Sequence, residues 1–96
     1  MPSWAEVKIR RPDVPASEVE RAISRMTERL VDRVEKHGPG AYAGPHETLG
    51  ILDEEFDELR DAVRSNVDED VAKELLDIAV GCIFGIASLR TVGRIP

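Results

Sequence analysis

The sequence predicts an all-α protein, an antiparallel bundle of three main helices behind an extended N-terminal arm. Three observations carry that prediction. Apolar residues recur at steps of three and four through two long segments, the period of one helix face. Clusters of Gly, Pro, Ser and Asn fall between the periodic segments and nowhere inside them for long. The last segment is apolar on nearly every side, and such a helix has to be covered on every side. Ninety-six residues make one small domain, 1–96, with a thin core. Two other helices of so short a chain cannot cover the third, so the bundle is expected to be completed by dimerisation.

Residues 1–16 hold three of the six prolines and alternate briefly, with Ala5, Val7 and Ile9 set against Glu6, Lys8 and Arg10. That pattern suits a short strand or an extended arm, and an arm carrying Trp4 could wrap a partner subunit. The first helix is expected over 17–37. Ser17 and Glu20 fit a capping box, and Val19, Ile23, Met26, Leu30 and Val34 form its apolar stripe. Gly38 is placed to close the helix, with Pro39 beyond it.

The stretch from Gly38 to Gly44 is a loop by composition. It lacks the Lys-Ser/Thr ending of a P-loop, so a plain turn is the simpler reading. Pro45 suits the first turn of a second helix over 45–65, with Leu49, Leu52, Phe56, Leu59 and Val63 as its stripe. Ser65-Asn66-Val67-Asp68 interrupts the chain, and Asn66 with Glu69 reads as the cap and partner opening a third helix over 67–90.

Two acidic signatures stand on the second and third helices: Glu54-Glu55-Phe56-Asp57-Glu58 and Glu74-Leu75-Leu76-Asp77. Each contains two carboxylates three residues apart, on one helix face. Fifteen residues, Leu59 to Lys73, separate them, enough to end one helix and begin the next antiparallel to it. Ile51, Glu55, Glu58 and Ala62 make a line with apolar ends and an acidic middle, while Glu54 and Asp57 point further round. On the third helix Asp70, Glu74, Asp77, Gly81, Gly85 and Ser88 share one line, acidic at one end and small at the other. Each helix glycine costs about 1 kcal/mol relative to alanine. Two on one line therefore mean a close approach, by another helix or by a ligand. Carboxylates at such spacing are ordinary on solvated faces. Two pairs on consecutive helices, both beside apolar lines, point instead to a site for an oxygen-preferring divalent cation, Mg²⁺ or Mn²⁺.

Composition excludes several classes. A net charge of −6 and four aromatic residues leave neither a basic patch nor a base-stacking platform, so no nucleic acid is expected as partner. The longest uncharged stretch, Ile78 to Leu89, is too short for a bilayer, so no membrane is expected either. The one cysteine, Cys82, forms no intrachain disulfide and reads as a small buried hydrophobe in a cytoplasmic protein.

The order Glu54-Glu55-x-x-Glu58, a fifteen-residue gap and Glu74-x-x-Asp77, followed by an apolar helix, resembles the signature of the MazG-like all-α nucleoside triphosphate pyrophosphohydrolases. That superfamily also contains the dimeric dUTPases and phosphoribosyl-ATP pyrophosphohydrolase. The resemblance covers His46 to Leu89, about half the chain. It implies a helical homodimer or dimer of dimers. It also implies Mg²⁺ held at Glu55, Glu58, Glu74 and Asp77, and hydrolysis of a nucleoside triphosphate to the monophosphate and pyrophosphate. Glu54 or Glu55 would accept a proton from the attacking water.

The chain departs from the pattern in two places. It stops soon after the third helix, where many relatives carry a fourth with basic and amide residues. Lys73 and Arg90 are then the expected phosphate contacts, with Arg94 further along the tail and Arg33 and Lys36 of the first helix as alternatives. The lysine-containing lead-in of the phosphoribosyl-ATP enzymes is replaced by Gly50-Ile51-Leu52-Asp53. His46 and Glu47 read as capping residues. The competing expectation is a non-catalytic helical homo-oligomer that binds nucleotide or metal. A ferritin-like di-iron bundle is disfavoured, since neither His37 nor His46 follows a glutamate by three residues.

Overall fold

The computed structural model describes residues 11–96 and shows three helices with no strand among them: α1 (Ala16–His37), α2 (Pro45–Ser65) and α3 (Asp68–Thr91). The alternating segment from Ala5 to Ile9, and Trp4 with it, lies outside the described residues. Residues 11–15 carry no regular structure.

Helix ends follow local chemistry. Gly38 takes φ 81°, and its N–H donates to the carbonyl of Val34 at 2.8 Å, closing α1. Pro45 stands at the start of α2. Glu47 accepts a 2.9 Å hydrogen bond from the Ala43 N–H, the capping role expected of it. Two other caps differ from expectation. Ser17 and Glu20 form no capping box, because α1 begins one residue earlier. Pro15, extended at φ −64° and ψ 148°, offers its carbonyl to the N–H groups of Glu18 and Val19. Asn66 does not open α3. It closes α2 in the left-handed region at φ 58°, which Asn tolerates well, and Val67 precedes α3 without a side-chain cap.

α3 is the element on which both others pack, and α1 and α2 make no close backbone approach to each other. Thr48 lies against Gly85 and Leu52 against Gly81, so residue numbers rise along α2 as they fall along α3 and the two are antiparallel. A Cβ on Gly85 would come within 2.8 Å of Thr48 Cγ2, and one on Gly81 within 3.1 Å of Leu52 Cδ2. The two helix glycines therefore serve helix packing, and Gly81 borders a cleft as well.

This packing turns α2 away from its expected orientation. Leu52 and Leu59 are half-buried, but Leu49, Phe56 and Val63 are 56%, 44% and 53% exposed. The inward edge runs instead through Thr48, Ile51, Glu55 and Ala62. The groove over the glycines admits Leu52 and Thr48, and seating them rotates the acidic line towards α3.

The single chain buries little. Among the described residues Tyr42, Ala62 and Val80 are the buried hydrophobic ones, and no large side chain is fully buried. On α3, Leu75, Ile83 and Ile86 stay exposed, and Cys82 is exposed rather than buried. The apolar character of α3 exceeds what two neighbours can cover. None of the described helices is long and apolar enough to cross a membrane.

Candidate functional site

The antiparallel pairing of α2 and α3 brings acids from the two helices together. Glu55 and Glu58, one turn apart on α2, meet Glu74 on α3, each offering a carboxylate oxygen within 4.8 Å of the others. Glu55 and Glu74 are half-buried and Glu58 is exposed. One oxygen of Glu55 and one of Glu74 are buried without a hydrogen-bond partner among the described residues. Burial, then the nearby charges of Glu58, Asp77 and Glu74, pushes the Glu55 carboxyl up to about 7. Glu74 is raised by burial first and by Glu58 next, with Lys73 opposing. Like charges this close cannot all ionise at little cost unless a cation joins them. The hard oxygen donors match Mg²⁺ or Mn²⁺.

Asp77, the fourth expected ligand, lies beside this trio and is engaged by a different partner. Arg29 of α1 grips it with a fork, Nε to Oδ1 and Nη2 to Oδ2, the latter at 3.1 Å. The Arg29 guanidinium is raised above its ordinary value, chiefly by its hydrogen bond to Asp77, with Glu74 and Glu55 adding to it. Nothing local in the sequence pairs residues 48 positions apart. The faint signal was a basic residue on the shoulder of the α1 stripe, next to Leu30.

Between α1 and α2, floored by α3, lies a cleft of about 670 Å³. Glu54 and Glu55 line one wall; Arg29, Arg33, Lys36 and His37 of α1 line the other, with Asp32 among them. Glu54 is exposed, as expected of a residue pointing further round. Lys73 and Arg90 are exposed and do not line the cleft; the cations that do belong to α1.

The loop after α1 is more than a turn. Tyr42 is 4% exposed, and its N–H donates to Ser88 Oγ at 3.0 Å. Its ring meets Phe84 edge-on, with centroids 4.9 Å apart, and Arg33 lies 5.1 Å from the Tyr42 centroid and 4.4 Å from that of Phe84. An aromatic residue within Gly-Pro-Gly-Ala-Tyr-Ala-Gly was the signal sequence reasoning passed over. Comparison with protein-family profiles, curated proteins and solved structures finds no significant match to this chain.

Proposed function

We propose that this chain is a metal-dependent nucleoside triphosphate pyrophosphohydrolase of the MazG-like all-α type, releasing nucleoside monophosphate and pyrophosphate. The observation that carries the proposal is the trio Glu55, Glu58 and Glu74, convergent within 4.8 Å, with a buried oxygen on two of its members that has no partner among the described residues. Unpaired acids in such a place are costly to fold around, and an oxygen-preferring divalent ion fits the donor set. These three residues would hold Mg²⁺, or Mn²⁺, with Asp77 joining them on leaving Arg29. Bound there, the ion would offset phosphate charge and lower the pKa of a water molecule. Glu54, solvated on the cleft wall, would take the proton as the water oxygen attacks the α phosphorus and the bond to the bridging oxygen breaks. Glu55 is the other carboxylate placed to accept that proton, through an oxygen not engaged by the ion.

A homodimer or dimer of dimers belongs to the same proposal, in a cytoplasmic setting. Its support is the apolar surface left uncovered at Leu49, Phe56, Ile83 and Ile86. Light scattering should give at least twice the 10.6 kDa chain mass; a monomer at micromolar concentration would remove this part. The Arg29–Asp77 pair favours a second reading, a non-catalytic nucleotide- or metal-binding helical homo-oligomer, because it already neutralises one of the four acids.

The deciding experiment is pyrophosphate release from a panel of NTPs and dNTPs, modified bases included, with Mg²⁺, Mn²⁺ or EDTA. Metal-dependent release should fall roughly hundredfold or more in Glu55→Ala, the scale for losing a group that stabilises transition-state charge. No release from any nucleotide, with metal binding intact, would leave the non-catalytic reading.

A further inference from the structure

The cationic wall of the cleft contains one residue whose setting the acidic site does not explain. Arg33 is half-buried, and it makes no ion pair or hydrogen bond among the described residues. Its neighbour one turn back, Arg29, is taken by Asp77. Arg33 is held chiefly by packing, its guanidinium over the rings of Tyr42 and Phe84. A guanidinium on an aromatic face keeps its in-plane donors free while losing little freedom when it binds.

The platform is itself anchored, since the Tyr42 backbone is tied to Ser88 Oγ on α3. Beside Arg33 is a second unmet group. The Tyr42 hydroxyl is buried and has no partner at full hydrogen-bonding geometry among the described residues, the Arg33 guanidinium reaching it only weakly. Buried hydroxyls left unpaired are uncommon, and each one calls for an explanation. An anionic oxygen seated at Arg33 would supply the missing acceptor.

From this arrangement we infer that Arg33, set on the Tyr42–Phe84 platform, is the anion-binding centre of the cleft and takes a phosphate of an extended polyphosphate chain. Arg33 and Lys36 continue the line begun by Arg29 along one face of α1, at about 1.5 Å of rise per residue. Three cations on one face of α1, with Asp32 beside them, stand opposite the acids proposed to hold metal, which suits an anion with several charged units in line. The cleft volume of about 670 Å³ is within the usual range for small-molecule sites. The ligand class rests on the proposed function above; the role of Arg33 rests on its own geometry.

The test is calorimetric titration of the full chain with inorganic tripolyphosphate, in Ca²⁺ and again in EDTA, beside a Mn²⁺ titration of each variant. Removing a charge-assisted contact by Arg33→Gln should weaken tripolyphosphate binding roughly ten- to hundredfold. Arg33→Lys should recover only part of the loss, Tyr42→Phe should cost a few-fold, and Mn²⁺ affinity should stay as in the parent. Melting curves identify any variant that loses its fold; Arg33→Lys and Tyr42→Phe, which keep the charge and the ring respectively, then carry the test. Unchanged tripolyphosphate affinity in folded Arg33 variants, or none in the parent, would overturn the inference. Binding that depends on Arg33 without cleavage of any nucleotide would sink the enzymatic proposal and leave the inference standing. Cleavage by the parent with Arg33 variants binding normally would do the reverse.

Discussion

The two contacts of α3 differ in kind. Against α2 it is tight, with glycines at the points of closest approach and short side chains seated over them. Against α1 it is loose. Val19 and Ile23 remain about half exposed beside an apolar groove of about 410 Å³, and an ion pair and a cation–aromatic stack do much of the joining. The tight contact forces acids together; the loose one brings basic residues opposite them. Close packing fixes the spacing that metal ligands need. A contact made by long charged side chains can rearrange when a ligand competes for them.

The largest test of this contrast compares Glu74→Ala with Asp77→Ala in a Mn²⁺ titration. Glu74 belongs to the tight contact and should cost roughly tenfold to hundredfold in metal affinity, the usual scale for disturbing a metal site. Asp77, already occupied by Arg29, should cost several-fold less. Equal losses would mean that all four acids ligate alike and that the ion pair is easily displaced.

Next in size is glycine replacement within the tight contact. Gly85→Ala places a methyl 2.8 Å from the short, branched side chain of Thr48. Overpacking costs about 1–3 kcal/mol, against about 1 kcal/mol regained in helix propensity. The net loss should be on the order of 1 kcal/mol, or roughly 4–8 °C in Tm. Gly81→Ala meets the flexible end of Leu52 at 3.1 Å and should leave Tm nearly unchanged. If Gly85→Ala melted at or above the parent temperature, the helices would not be held as closely as described.

The smallest effect is on pH dependence. The Glu55 carboxyl is raised from its usual 4.5 to about 7, first by burial. Between those values the folded chain holds more protons than the unfolded chain, so this group's contribution makes stability fall as pH rises through the window. In EDTA, Glu55→Gln should gain Tm relative to the parent on going from pH 5 to pH 8, and Mg²⁺ should narrow the gap. A gap that closes with rising pH in EDTA would show that Glu55 already has a cationic partner.

Much of the fold could be read from the chain because its punctuation is local. Gly38 and Pro45 mark helix ends through backbone chemistry that needs no tertiary partner, and the observed helices begin and end within one residue of 17–37, 45–65 and 67–90. The rotation of α2 was not legible. Leu49, Phe56 and Val63 form as good a stripe as the residues that actually turn inward, and the choice is made by a groove on another helix. The meeting of Glu55, Glu58 and Glu74 could be inferred from spacing, since two adjacent antiparallel helices suffice to produce it. Arg29 on Asp77, and Arg33 over Tyr42 and Phe84, could not, because each depends on how α1 settles across α3.

The link between α2 and α3 is two residues long, Asn66 and Val67, with the left-handed turn made at Asn66. Closing so short a loop costs little chain entropy, and contacts near in sequence form quickly. The helical hairpin that carries all three acids is therefore suited to assemble early, before α1 arrives to neutralise Asp77. Mutual repulsion of the carboxylates then acts on the folding barrier as well as on the finished protein, and a divalent cation, if bound as proposed, would speed folding.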